Sequence, residues 1–117
     1  MNSEQLRDLV VSTLEETKAK DVVVLDVRKM TTVTDYMVVA SGTSNRHVRA
    51  LADAVGEASR EQGHRPNGVE GAGGGEWILL DLQDVLVHVM LPRVRDFYNL
   101  EKLWSLTPAA DLAIRDR

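Results

Sequence analysis

The sequence has 117 residues, which is enough for one domain with a hydrophobic core and too few for two domains that each have a sizeable core. Its apolar content of 44% and charged content of 27% are ordinary for a soluble globular protein, and the lack of cysteine excludes disulfides and thiolate metal sites. The net charge is −4 and no five like charges are consecutive, so the chain is not built to hold nucleic acid unaided.

The N-terminal residues and the apolar stretches predict a location. Residues 1–5 lack the basic start and apolar run of a secretion signal, and no apolar stretch approaches membrane-spanning length. We therefore expect a cytoplasmic protein that does not enter a membrane.

The first part of the chain predicts a helix followed by two strands. Asn2 or Ser3 can cap an amphipathic helix that runs to about Ala19. Residues 22–27 form a β-branched run, which predicts a strand buried on both sides, and residues 36–41 predict a second strand.

A loop of small residues, 41–45, then opens a second helix that ends near Gln62, with Gly63 as a left-handed cap. Such a loop can hold a phosphate on the helix N-terminus. The Gly-x-Ser signal alone is weak, and a tight turn with a Ser or Asn cap is the commoner explanation. Residues 64–75, which contain five glycines, predict a flexible connection with a brief edge strand at Val69-Glu70.

Residues 76–91 predict a β-hairpin, because two runs rich in Val, Ile and Leu flank a polar break at Gln83-Asp84. This loop pairs Leu82 with Val85, Leu80 with Val87, Ile78 with Val89, Asp81 with Leu86, Leu79 with His88, and Trp77 with Met90. Since side chains alternate along a strand, one face is the predicted core face: Ile78, Leu80, Leu82, Val85, Val87, Val89 and Leu91. The opposite hairpin face carries Trp77, Leu79, Asp81, Leu86, His88 and Met90.

The opposite hairpin face is too apolar for free solvent and too polar for a sealed core. Its cover is either a helix of the same chain or another protein, since interface cores are enriched in Trp, Tyr, Met and Arg. The aromatic-rich segment that follows favours another protein.

Pro92 ends the hairpin and pre-sets the first turn of a helix. Four residues share one face of this helix if Asn99 does not break it: Phe97, Leu100, Leu103 and Trp104. Tyr98 and Glu101 point elsewhere, so Tyr98 is either a contact residue or a lid on the core edge.

This order of elements predicts an α/β fold with a mixed sheet of four or five strands, formed by residues 1–105 as a single domain. Residues 106–117 are predicted to be a flexible or short helical tail. The sequence pattern does not determine whether the first and central helices pack on the same face of the sheet.

No convergent set of catalytic groups is visible. His47, His64 and His88 occur in three different contexts, and none has metal-ligand spacing to another His or a carboxylate pair. Nucleotidyl transfer would need paired carboxylates for two metal ions, and Asp81 and Asp84 form no such pair. We therefore expect no catalytic residue, no metal and no cofactor.

Several motifs form one recognisable signature. They are Asp35-Tyr36-Met37-Val38-Val39-Ala40-Ser41-Gly42-Thr43-Ser44, Arg46-His47-Val48, Glu70-Gly71, Trp77-x-x-x-Asp81, His88, and Arg95-x-Phe97-Tyr98-x-Leu100-Glu101-x-Leu103-Trp104. They closely resemble the ribosomal silencing factor family, RsfS, also called the Iojap-like family. The resemblance extends from about the first helix to Trp104.

The resemblance implies a non-enzymatic translational repressor that docks on the fourteenth protein of the large ribosomal subunit and blocks association with the small subunit. It also implies a fold similar to that of nucleotidyltransferases, without their catalytic carboxylates. The residues expected to contact the partner are Trp77, Leu79, Asp81, His88, Met90 and Tyr98, with Arg95 and Glu101 on the rim or bracing the helix. The acidic balance suits a basic ribosomal protein better than bare RNA.

Three alternatives stay open at this point. The first is a nucleotide-binding or nucleotidyltransferase-like enzyme that uses the loop Gly42-Thr43-Ser44. The second is a homodimer of the free protein that buries the opposite hairpin face. The third is a minor contact with ribosomal RNA that adds to docking.

Overall fold

The structure, a computed structural model, describes residues 1–105. Its elements are α1 (Ser3–Glu16), β1 (Lys20–Asp26), β2 (Tyr36–Ser41), α2 (Asn45–Glu61), β3 (Gly68–Glu70), β4 (Trp77–Asp81), β5 (Val85–Met90), α3 (Pro92–Tyr98) and α4 (Leu100–Ser105). None of the helices described is long and apolar enough to span a bilayer. The tail predicted at 106–117 lies outside the described residues.

The five strands form one mixed sheet in the order β1-β2-β5-β4-β3, which confirms the predicted α/β fold class. β2 and β5 run parallel, and every other neighbouring pair is antiparallel. The β4–β5 register joins Trp77 to Met90, Ile78 to Val89 and Leu79 to His88, so the predicted hairpin pairing is confirmed. The central β5 therefore brings the hairpin beside β2.

Both long helices pack on one face of the sheet. Asn2 caps α1 in a capping box, in which its side chain accepts from the backbone of Gln5 at 2.8 Å and the Gln5 side chain accepts from the backbone of Asn2 at 3.0 Å. The helices bury Leu6, Val10, Leu14, Val48, Leu51 and Val55 against the sheet. All seven residues of the predicted core face are buried here, as expected.

The prediction for the first strand is wrong in its burial. β1 is an edge strand whose side chains are half-buried or exposed, and Val24 is 40% exposed. A β-branched run suits any pleated, half-buried surface, so its composition does not distinguish an edge strand from a central one. The fully buried strand is β2, where every residue is buried.

The second face of the sheet is only partly covered by the residues that the structure describes. Val27, Met37, Val39 and Met90 form a smaller core there, and Leu100 and Trp104 of α4 pack against it. Asn99 breaks the last helix with a left-handed conformation, φ 50° and ψ 52°, so the condition for one shared helix face is not met. Phe97 is 80% exposed, whereas Leu100 and Trp104, expected on the same helix face, pack against the smaller core.

Candidate protein-docking site

Four aromatic rings form a continuous series from the second face of the sheet to the surface. The Trp77 ring lies 5.8 Å from the His88 ring and 4.8 Å from the Tyr98 ring, measured between centroids. Tyr98 contacts Phe97 edge to face at 5.0 Å. The exposed fraction of the side chain rises along the series, from 7% for His88 to 55% for Tyr98 and 80% for Phe97. The outer members present a large apolar surface that residues 1–105 leave exposed.

We call the accessible part of this region the Trp77 face, defined by Trp77, Leu79, Phe97 and Tyr98. Trp77 begins β4, Leu79 follows on the same side of the strand, and the other two end α3. α4 does not cover this region, because its Leu100 and Trp104 pack on the smaller core that contains Val27, Met37, Val39 and Met90.

Trp77 is held by a hydrogen bond to a buried imidazole. Its Nε1–H donates to Nδ1 of His88 at 2.9 Å, which requires an imidazole whose Nδ1 carries no proton. Burial lowers the pKa of His88 to about 4, so the ring is neutral at pH 7. His88 therefore acts here as a fixed acceptor for the indole and contributes no positive charge.

Trp77 lines two cavities at the surface. One, of about 230 Å³, is lined by Glu70, Gly71, Trp77 and Leu79. The other, of about 400 Å³, is lined by Glu76, Trp77, Arg93, Val94, Phe97 and Tyr98. Trp77 lines both cavities, so a side chain of a partner that fills either one would contact it.

Gly71 allows the chain to pass close beside Trp77. Its φ is +85°, and a β-carbon at this position would lie 2.0 Å from the Trp77 carbonyl oxygen. The following loop, predicted as flexible, is held by side chains of α2. Asn45 donates to the carbonyl of Gly74 at 2.7 Å, and Arg49 donates to the carbonyls of residues 72 and 73, both at 3.2 Å.

Arg95 and Glu101 lie on either side of the break between α3 and α4 at Asn99. Arg95 is buried and forms a bidentate ion pair with Glu101. Its Nε donates to Oε1 at 2.7 Å and its Nη2 to Oε2 at 3.1 Å. Its third donor, Nη1, reaches the hydroxyl of Ser41 at 2.9 Å. The sequence suggested that Arg95 and Glu101 either lie on the rim of the site or brace the helix. These contacts are of the bracing kind.

The eight predicted site residues therefore occupy two layers. The outer layer holds the exposed Tyr98 and four half-buried residues, Trp77, Leu79, Asp81 and Glu101. In the inner layer Met90 is fully buried, and His88 and Arg95 lie beneath the surface. Asp81 is half-buried, and its Oδ1 accepts from the backbone of Gln83 at 2.8 Å, so it also shapes the hairpin turn. Only the residues of the outer layer can contact a partner directly.

Sequence reasoning did not include Phe97 in the site. The helical period placed it on the same face as Trp104, and that assignment depended on an unbroken helix. Asn is among the few residues that adopt the left-handed conformation readily, so Asn99 was the available signal for the break.

The loop proposed for nucleotide binding is bonded within the protein. The Gly42 N–H donates to the Met90 carbonyl at 3.0 Å, the Thr43 N–H to Nδ1 of His47 at 2.9 Å, and the His47 N–H to Oγ of Ser44 at 3.1 Å. These N–H groups are not free to hold a phosphate. Among residues 1–105, no cluster of three or more His, Asp or Glu side chains could hold a metal ion.

Comparisons with known proteins agree with the fold and the motifs. Residues 1–117 match the family model described as ribosomal silencing factor during starvation. The chain is 46% identical over 105 residues to a Chromobacterium violaceum protein named ribosomal silencing factor RsfS, a match that covers 90% of this chain and 86% of that protein. It is 35% identical over 102 residues to a mouse protein named mitochondrial assembly of ribosomal large subunit protein 1, covering 85% of this chain and 45% of that one. A crystal structure of a Chromobacterium violaceum protein superimposes with a TM-score of 0.88 at 46% identity, covering 89% of this chain and 87% of that chain.

Proposed function

From the premise that this chain belongs to the ribosomal silencing factor family, we propose that it binds the large ribosomal subunit through the Trp77 face and represses translation by keeping the small subunit away. The proposed docking partner is the fourteenth protein of the large subunit, as the resemblance of the motifs implies. The observation that carries the proposal is the aromatic series of Trp77, Tyr98 and Phe97, whose last two members are left exposed by residues 1–105.

The Trp77 face has the properties of a protein-binding surface. Aromatic side chains dominate interface energetics because they bury a large area at a small cost in conformational entropy. Phe97 and Tyr98 are exposed next to a half-buried Trp77, a costly arrangement in water unless a partner covers it. Support for the large subunit also comes from the mouse relative, whose name refers to assembly of that subunit.

Charge favours a basic partner. The whole chain carries a net charge of −4, and Glu70 lines one of the two cavities that Trp77 also lines. In the other cavity Glu76 is paired with Arg93 at 2.9 Å, so the acidic character comes from Glu70 and from the chain as a whole. Ribosomal proteins are typically basic, so long-range attraction would speed the encounter and orient it. Bare RNA would be repelled by the same charge, which leaves ribosomal RNA at most a minor contact.

Repression of this kind acts through occupancy. A bound protein that fills the space needed by the small subunit inhibits joining without transforming any molecule, so no cofactor, metal or catalytic residue is required. The family consists of ribosome-associated regulators and is not a known enzyme family. The proposed place of action is the cytoplasm, where free subunits would be available.

Co-sedimentation with isolated subunits tests this function. Purified protein should pellet with large subunits and not with small ones, and the fraction bound should saturate as the concentration rises. Val33→Ala serves as a control because Val33 is 73% exposed but lies between β1 and β2, outside the Trp77 face. Equal pelleting with both subunits, or none with either, would contradict the proposal.

A further inference from the structure

The junction between α3 and α4 determines which aromatic side chains pack on the sheet and which point outward. In an unbroken helix Phe97 and Trp104, two turns apart, would lie on one face. In the structure Trp104 packs on the smaller core with Leu100, whereas Phe97 is 80% exposed. Their directions differ because Asn99 separates the two helices with a left-handed backbone conformation.

Arg95 fixes this junction from the buried side. It lies before Asn99 in the chain, and its ion-pair partner Glu101 lies after it, so the pair bridges the break. The backbone N–H of Asn99 also donates to the Arg95 carbonyl at 2.8 Å. Because the third donor of Arg95 binds Ser41 at the end of β2, the junction is tied to the sheet as well. A two-bond Arg–carboxylate pair restricts orientation strongly.

We propose that Asn99, with the Arg95–Glu101 ion pair, is a positioning element for the Trp77 face. The left-handed junction directs α4 onto the smaller core and leaves the Tyr98 ring packed at a tilt against the Trp77 ring, with centroids 4.8 Å apart. Helix α4 thereby covers one part of the second sheet face, and the other part stays available to the partner. This inference rests on the proposed function, because binding to the large subunit is one of its readouts.

The test compares two substitutions of Asn99 in the full chain. Asn99→Gly retains easy access to the left-handed conformation, whereas Asn99→Ala disfavours it. We expect Asn99→Gly to bind large subunits within about twofold of the unsubstituted chain and Asn99→Ala about tenfold more weakly. A second readout is the fluorescence of Trp77 in a Trp104→Phe background, where it is the only tryptophan. Its emission should change in Asn99→Ala and not in Asn99→Gly.

A purely structural role for Asn99 would lower the melting temperature of Asn99→Ala without changing affinity or Trp77 emission well below that temperature. That result would overturn the proposal. If Asn99→Ala does not fold, Glu101→Gln replaces it, since this change weakens the ion pair across the junction and leaves Asn99 in place. Unchanged affinity and emission in folded Glu101→Gln would also overturn it.

The two proposals fail in distinguishable ways. If the unsubstituted chain does not pellet with large subunits, the proposed function is wrong, and Trp77 emission still decides whether the junction positions the aromatic series. If the unsubstituted chain pellets and both Asn99 variants bind equally well, the function stands and the positioning role is wrong.

Discussion

The indole nitrogen of Trp77 donates a hydrogen bond to Nδ1 of His88 at 2.9 Å, so a buried neutral imidazole fixes the central side chain of the Trp77 face. The pKa of His88 is lowered to about 4 from an ordinary 6.5 by burial. Protonation of Nδ1 would remove the acceptor and place a charge among apolar groups. The state of this ring therefore links pH to the geometry of the proposed site.

The first prediction concerns that link. Above pH 6.5 His88 is neutral in both the folded and the unfolded chain, so its titration does not affect stability. Between pH 6.5 and 4 only the unfolded chain takes up the proton, and the free energy of unfolding falls as the pH decreases. From pH 7 to pH 5 this loss should be about 2 kcal/mol.

Urea unfolding of the unsubstituted chain and of His88→Gln at both pH values isolates this contribution. The carboxylates contribute similarly to both proteins, so the difference between the two pH dependences reports His88. If His88→Gln loses as much stability between pH 7 and pH 5 as the unsubstituted chain, the His88 pKa is not depressed in the folded protein.

The second prediction concerns Trp77. Trp77→Ala should weaken binding to large subunits by about 2 kcal/mol or more, because a central aromatic anchor carries much of an interface's energy. Folding should survive, since the main core lies on the other face of the hairpin. Pelleting with large subunits measures the effect, with Val33→Ala as the surface control. Binding of Trp77→Ala at the level of this control would remove Trp77 from the site.

The third prediction contrasts two glycines of the loop beside Trp77. Gly71→Ala should lower the free energy of unfolding by about 2 kcal/mol or more, because the residue has a positive φ and its β-carbon would overlap the Trp77 carbonyl oxygen. Gly73→Ala should change it by less than about 0.5 kcal/mol, since nothing lies within 4 Å of its added carbon. Urea unfolding at pH 7 compares the pair, and equal values would show that the passage beside Trp77 tolerates a side chain.

The fourth prediction concerns the loop before α2. Ser44→Ala should cost about 1 kcal/mol of stability, because the Ser44 hydroxyl accepts from the His47 N–H at the helix start. Binding to large subunits should stay near normal. A folded Ser44→Ala protein that had lost ribosome binding would instead support a functional role for this loop.

The hairpin was predictable because its information is local. Side chains alternate with period two, so a two-residue loop fixed both the register and the core face that Ile78 and Val87 share. The edge position of β1 was not predictable, since it depends on which strand lies beside β2. The direction of the Phe97 side chain depends on the backbone conformation of a single residue, Asn99, which the helical period does not determine. The choice between the two roles of Arg95 depends on its contact with Ser41, a residue distant in sequence.

The last prediction concerns the mechanism of repression. If the bound protein inhibits only by occupying space, it should slow the joining of separated subunits in the presence of a chelator and without nucleotide. The inhibition should be proportional to the fraction of large subunits that carry the protein. Subunits that are already joined should be inhibited less than separated ones. The protein and the small subunit would compete for one surface, so the protein can bind only after the joined subunits dissociate.

Sucrose-gradient profiles of mixed subunits, with and without the protein, measure this inhibition. Trp77→Ala and Tyr98→Ala should lose inhibition together with binding, and combining them should add little once occupancy is gone. Val33→Ala should inhibit as the unsubstituted chain does, because Val33 lies outside the Trp77 face. If the protein saturates the large subunits and joined particles still form in normal amount, occlusion is wrong, because a filled site would then leave room for the small subunit.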